Sequence, residues 1–209
     1  MRTIEIYSPK VIAILIFALL MFFYCCNSFA QGYKLDGKIK GVDDGWIFVR
    51  HRQTGKTDSC RIQAGHFSLS GSLTTPEFCT FGFSVNGIKD YYLSFFLEKG
   101  EFNMMASKDS LNDINIRFTG SQVENEFQNF QRQVSLINQR NYPQAKAETE
   151  LAQLAATYAL KHPGSYVSAF ALVSYENNLA ELSRLYDRLS PEIQRSYNGQ
   201  LINNKVNHH

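Results

Sequence analysis

Residues 57–73 read TDSCRIQAGHFSLSGSL, and apolar and polar side chains alternate on both sides of the short Ala64-Gly65 turn. Such alternation is typical of a β-strand with one buried face, because successive side chains point to opposite sides. Glycine in a two-residue connection favours a tight reversal of the chain. The stretch therefore predicts two consecutive antiparallel strands.

The same alternation extends outward in both directions, over residues 32–119, and glycines with acidic or amide neighbours interrupt it at short intervals. The predicted strands are 33–40, 46–52, 57–63, 66–73, 78–85, 91–98, 101–107 and 114–119. Short strands with no helical period between them exclude a βαβ architecture. We expect an antiparallel β-sandwich or a partly open barrel of about eight strands, in a domain spanning 31–119. Both faces of 91–97 are apolar, so one face is expected to contact helices or a partner.

The apolar period changes at Gly120, where a helical segment spanning 120–209 is predicted. Ser121 and Glu124 have the spacing of a capping box, in which each side chain bonds to a free backbone amide of the helix start. About five helices are expected: one over 123–137, one over 143–161, one over 166–175, one marked by Leu179, Leu182, Leu185 and Leu189, and one opened by Ser190-Pro191 and carrying Ile193, Tyr197 and Leu201. The fold class is therefore α+β, with the strands preceding the helices.

The first thirty residues are predicted to be an export signal. Residues 11–24 read VIAILIFALLMFFY, and Ser28 and Ala30 provide the small residues that signal peptidase requires, so cleavage is expected after Ala30. An uncleaved membrane anchor is the first alternative. Acylation at Cys25 or Cys26, as in lipoproteins, is the second, although the bulky Phe23-Tyr24 disfavours it. The protein is expected in the periplasm or cell envelope, anchored to the outer membrane if it is lipidated, with membrane contact only through the signal or the lipid.

Charge and motifs exclude several classes of function. The chain has 21 basic and 19 acidic residues, a balance that gives no basic stripe for nucleic acid. No phosphate-binding glycine loop or serine-nucleophile elbow is found. Asp43-Asp44 has the pattern of a solvated turn, and His66 that of a surface residue. We therefore expect no cofactor and no metal.

Cys60 and Cys79 are the two cysteines that remain after signal cleavage. Each is in phase with the apolar face of its predicted strand, which predicts buried free thiols. A disulfide between them, possible in an exported protein, is the alternative. Neither thiol lies in the helix-start dithiol arrangement that a thiol oxidoreductase uses.

Several landmarks resemble a known arrangement. They are Leu35-x-Gly37-x-Ile39, Thr57-Asp58-Ser59, the segment 65–71 (GHFSLSG), the segment 96–100 (FLEKG), the helix-joining segment 162–167 (HPGSYV) and the segment 189–193 (LSPEI). Together they resemble the uncharacterised β domain, with its helical segment, that precedes the thioredoxin-like domain of envelope thiol-disulfide oxidoreductases of the TlpA and peroxiredoxin-like type. The redox C-x-x-C of the thioredoxin-like domain has no counterpart in this sequence. The resemblance therefore implies the location and the architecture but not the redox reaction. Asp58 is expected to cap a neighbouring turn.

These observations predict a non-catalytic binding or scaffolding module of the cell envelope. Its expected partner is a thioredoxin-like or other envelope protein, and its ligand and oligomeric state are left open. Two alternatives remain: a redox accessory protein that uses Cys60 and Cys79, and a remnant of a truncated oxidoreductase.

Overall fold

The computed structural model of the protein describes residues 32–85, 88–108 and 114–207. The predicted export signal, its cleavage site, Cys25 and Cys26 therefore lie outside the described residues. No helix in the described part of the chain is both long and apolar enough to cross a bilayer.

The strands form one curled sheet that makes half of a barrel. Within the described residues there are eight: β1 Gly32–Lys40, β2 Asp44–His51, β3 Thr57–Gln63, β4 His66–Ser72, β5 Glu77–Val85, β6 Ile88–Leu97, β7 Gly100–Lys108 and β8 Ile114–Thr119. Their order across the sheet is β6-β5-β2-β3-β4-β1-β7-β8. The predicted α+β class is confirmed, and the partly open barrel is the one of the two expected architectures that is observed.

The sheet is mixed, whereas a wholly antiparallel one was predicted. β1 and β7 run parallel, with Leu35 opposite Phe102, and the other neighbouring strands are antiparallel. Local turns fix the direction of strands that follow one another, such as β3 and β4, whose Ala64-Gly65 turn has positive φ at both residues. The β1–β7 pairing joins strands that are distant in sequence, so no turn signals its direction.

Six helices follow the sheet in the described residues: α1 Gln122–Asn138, α2 Gln144–Lys161, α3 Tyr166–Tyr175, α4 Leu179–Tyr186, α5 Pro191–Arg195 and α6 Tyr197–Asn207. The fifth predicted helix is in fact two, α5 and α6. Ser196 breaks it with an extended backbone, and its hydroxyl donates to the carbonyl of Ile193 and accepts from the amide of Gly199.

Two hydrophobic cores meet at β6. Phe95 and Leu97 point into the curled sheet, whose interior also holds Phe81 and Phe102. Phe96 points the opposite way, into the helical core. Rings of the second core surround it: Phe78, Phe127 and Phe170 have centroids 5.3–5.8 Å from that of Phe96. The second apolar face predicted for this strand therefore contacts the helices. Across the gap between the two edge strands of the half-barrel, Phe95 of β6 stacks on Phe118 of β8, with the ring centroids 4.9 Å apart.

A second set of contacts fixes the start of α1 to β6, and we call Phe96, Glu98, Ser121, Glu124 and Gln128 the seam cluster. The Ser121 hydroxyl accepts from the amide of Glu124 at 3.0 Å and donates to Glu98 at 2.6 Å. The predicted capping box is formed only in part, because the Glu124 carboxylate does not return to the helix start. It accepts from the backbone amide of Phe96 at 2.7 Å and from the Gln128 side chain at 2.6 Å. Glu124 thus satisfies an amide of the edge strand β6.

Candidate functional site

Five polar side chains converge at one end of β2. His51 ends β2, between Asp58 of β3 and Cys79 of β5, and His51 is directly paired with Cys79. Glu77 lies two residues before Cys79 on β5, so both side chains point to the same face. Tyr33 reaches the group from β1. We call Tyr33, His51, Asp58, Glu77 and Cys79 the His51 cluster.

The imidazole of His51 lies between two carboxylates. Its Nδ1 contacts Oε1 of Glu77, and its Nε2 is 3.0 Å from Oδ2 of Asp58. The Tyr33 hydroxyl donates to the same Asp58 oxygen at 2.6 Å. The Cys79 thiol donates to Oε1 of Glu77 at 3.5 Å. The cluster is therefore one continuous chain of hydrogen bonds.

Most of the ionisable side chains in this cluster are buried. Relative exposure is 5% for His51, 6% for Glu77 and 0% for Cys79. The Glu77 contact raises the pKa of His51 against the opposing effect of burial, with Asp58 adding to the increase. Burial, and then the Glu77 charge, raise the pKa of the Cys79 thiol far above its ordinary value, and burial with Asp58 does the same for the pKa of Tyr33. The thiol and the phenol are thus neutral at physiological pH.

Three residues of the cluster line an open pocket of about 560 Å³. His51, Asp58 and Glu77 line it together with mostly polar residues: Gln53, Thr54, Lys56, Ser72, Leu73, Thr74 and Lys99. The volume is in the range of small-molecule sites. A pocket lined by two acidic residues, a histidine and two lysines can bind a charged polar molecule.

Cys60 and Cys79, the two cysteines within the described residues, are both free thiols. Cys79 is buried, as predicted, and Cys60 is half-buried against the sheet core. They flank β2 from opposite sides, Cys60 opposite Ile47 and Cys79 opposite His51, four positions apart. Four positions are about 13 Å along a strand, whereas a disulfide needs Cα atoms within about 7 Å. Burial also raises the pKa of Cys60. The fold therefore opposes both a disulfide and thiol exchange between them.

Sequence reasoning missed most of this cluster. Asp58, expected to cap a turn, instead bonds to His51 and Tyr33, while the predicted surface residue His66 is exposed. The sequence did contain one indication of the cluster, because His51 is in phase with the buried Ile47 and Val49 of β2. A titratable residue on the inward phase of a strand rarely lacks a partner.

Comparison with known families identifies the β part of the chain. Residues 33–127 match the model of a domain of unknown function, DUF4369. The chain therefore contains a DUF4369 domain. The match confirms the uncharacterised β domain that the resemblance indicated. The DUF4369 region includes the whole His51 cluster and extends past the strands to Phe127 of α1, so it also contains Ser121 and Glu124 of the seam. No curated protein matches the chain.

Proposed function

We propose that the protein is a non-catalytic binding module of the cell envelope, and that the pocket over the His51 cluster holds its ligand. The observation that carries the proposal is the burial of His51 and Glu77 at the wall of an open pocket. Taking charged groups out of water is costly, and such groups are concentrated at functional sites.

The state of the side chains favours binding over catalysis. A general base needs a free ring nitrogen, and both nitrogens of His51 contact carboxylates. A nucleophilic cysteine needs a lowered pKa, and the pKa of the Cys79 thiol is raised. The same raised pKa counts against the redox accessory role considered for Cys60 and Cys79.

The lining favours a small zwitterion, such as an amino acid or a short peptide. Lys56 and Lys99 present ammonium groups to a ligand carboxylate. Asp58, whose side chain is 32% exposed, offers a carboxylate to a ligand amine. Opposite charges on the two partners orient a ligand as well as attract it.

The envelope location rests on the predicted signal in residues 1–30. We propose export to the periplasm or cell envelope, with anchoring by lipid if Cys25 or Cys26 is acylated. The resemblance to the accessory part of thiol-disulfide oxidoreductases supports a thioredoxin-like protein as partner.

Isothermal titration with free amino acids, dipeptides and neutral monosaccharides tests the pocket. We expect the zwitterions to bind, and Lys56→Glu with Lys99→Glu to weaken binding at least about tenfold, because each substitution reverses a charge facing the ligand. Lys40→Glu is the matched control, an exposed lysine at the end of β1 outside the pocket lining. Binding by no member of the panel, or equal loss in the control, would contradict the proposal.

A further inference from the structure

Three metal-binding side chains of different chemistry meet in the His51 cluster. Nδ1 of His51, a carboxylate oxygen of Glu77 and Sγ of Cys79 all lie within 4.8 Å of one another. All three residues are buried. We infer that they form a binding site for a divalent cation of the zinc class. The inference rests on the proposed function in one respect, since the ion would form part of the wall of the same pocket.

The hydrogen bonds of His51 make Nδ1 the coordinating atom. Asp58 is an acceptor only, so Nε2 carries a proton and donates it to Asp58 at 3.0 Å. In the neutral imidazole Nδ1 then presents a lone pair toward Glu77, another acceptor. Two facing acceptors are stable only with a cation between them, which is either a proton or a metal ion.

The position of Cys79 supplies the third donor that a metal ion needs and a proton does not. A bridging proton needs only His51 and Glu77, yet Sγ of Cys79 lies 3.5 Å from the Glu77 oxygen and 3.9 Å from Nδ1. These two separations are close to those of neighbouring ligands around one ion with bond lengths of about 2.0–2.3 Å. Nδ1 and Oε1 are in direct hydrogen-bond contact, closer than two ligands of one ion, so the imidazole and the carboxylate must move apart as the ion enters. As the ion binds, the Cys79 thiol proton and the bridging proton leave to solvent, and the thiolate becomes a ligand.

The donor set selects the class of metal. One nitrogen, one oxygen and one thiolate suit borderline ions such as Zn²⁺ or Co²⁺, whereas Ca²⁺ and Mg²⁺ prefer oxygen ligands alone. Three protein ligands leave the fourth position of a tetrahedral ion open. His51 and Glu77 also line the pocket, so water or the pocket's ligand supplies the fourth donor.

Asp58 and Tyr33 act outside the ligand set. A carboxylate that accepts the second ring proton of a metal-bound histidine fixes the orientation of its ring, and its loss costs about 10–100-fold in metal affinity. Tyr33 donates to the same Asp58 oxygen and holds it in place. Asp58 is therefore a positioning residue.

Titration of the reduced, metal-stripped protein with Co²⁺ tests the site. We expect one Co²⁺ per chain, an intense near-ultraviolet band from thiolate-to-cobalt charge transfer, and loss of the band when Zn²⁺ is added. Cys79→Ser removes the band, and Cys60→Ser, the matched thiol control, retains it. Asp58→Asn keeps the band but weakens binding about 10–100-fold. Terminal histidines cannot give this signal, because a thiolate is its source.

Each outcome decides the inference separately from the proposed function. Circular dichroism of each variant establishes that it is folded, and the Cys60→Ser protein supplies the folded reference if Cys79→Ser unfolds. Absence of the band in folded wild-type protein overturns the metal site, as does a band that Cys60→Ser abolishes. The zwitterion titration is run both with and without Zn²⁺, so failure under both conditions contradicts the pocket proposal and leaves the cobalt result unaffected.

Discussion

The His51 cluster and the seam cluster each contain a buried carboxylate, Glu77 in the first and Glu124 in the second, yet they are built differently. In the seam, the Glu124 carboxylate accepts from a backbone amide and a glutamine amide, and Glu98 accepts from the Ser121 hydroxyl. Each acceptor there has neutral donors of its own. In the His51 cluster two carboxylates face one imidazole, and a thiol is the third neighbour.

This difference separates a structural role from the binding role proposed above. Neutral donors satisfy a buried carboxylate without a further ion, so the seam cluster holds α1 against β6 and needs nothing from solvent. The carboxylates of the His51 cluster also accept from the Tyr33 hydroxyl and the Cys79 thiol, but they flank a titratable imidazole at the wall of an open pocket, where the proposed ligand or ion would change their charge balance. Buried charge alone therefore does not distinguish the two clusters. A buried imidazole between two carboxylates beside an open pocket does, and it is the basis of the binding role proposed for the His51 cluster.

Removal of one charge from the His51 cluster has the largest expected effect. Glu77→Ala leaves the buried imidazole of His51 without its main carboxylate, and breaking a buried pair costs about 3–5 kcal/mol. We expect the free energy of unfolding, measured by urea denaturation without metal, to fall by that amount.

Glu101→Ala is the control for Glu77→Ala. Glu101 is an exposed glutamate of β7, and its loss should change the stability by less than about 0.5 kcal/mol. Equal effects of the two substitutions would show that the Glu77–His51 contact adds nothing to folding.

The seam cluster responds to pH through Glu124, whose pKa burial raises to about 7 against the opposing hydrogen bonds of Gln128 and Phe96. Because this folded pKa lies above the unfolded value of 4.5, the contribution is fully present below pH 4.5 and is lost as the pH rises through about 7. The shift corresponds to about 3 kcal/mol. We expect unfolding free energies measured from pH 4 to pH 8 to decrease with this profile.

Glu124→Gln tests the assignment of that profile. The glutamine keeps an oxygen for the Phe96 amide and does not titrate. The loss of unfolding free energy between pH 4.5 and 7 should therefore be smaller by about 3 kcal/mol in this variant. An unchanged slope would assign the pH dependence to other groups.

The packing of the His51 cluster can be disturbed without removing a polar group. A Cβ on Gly71 would clash with Oδ2 of Asp58 and with Cε1 of Tyr33. Gly71→Ala must displace both side chains, and overpacking of this kind costs about 1–3 kcal/mol. Gly164→Ala, where nothing lies within 4 Å, is the control. Thermal unfolding of the two variants checks the difference, and equal stability would show that the cluster tolerates the displacement.

The sequence predicts local structure far better than it predicts the site. The strands 57–63 and 114–119 and the helix 166–175 were expected with the bounds observed, because alternation, turns and caps are local. The parallel β1–β7 pair and the His51 cluster both depend on which distant strands become neighbours. Tyr33, His51 and Glu77 come from three strands, and nothing in the spacing of these residues indicates that they meet.

The smallest effect is expected at the cap of α1, and it distinguishes the seam from an ordinary helix start. Ser121→Ala removes a cap that also bonds to Glu98, at an expected cost of about 1–2 kcal/mol. Ser190→Ala removes a weaker cap, with a bond of 3.4 Å, at about 0.5 kcal/mol. Amide hydrogen exchange at Phe96 adds a local measurement. If the seam holds α1 on β6, protection of Phe96 falls in Ser121→Ala and stays unchanged in Ser190→Ala, whereas equal protection in both would mean that Glu124 holds the strand without the cap.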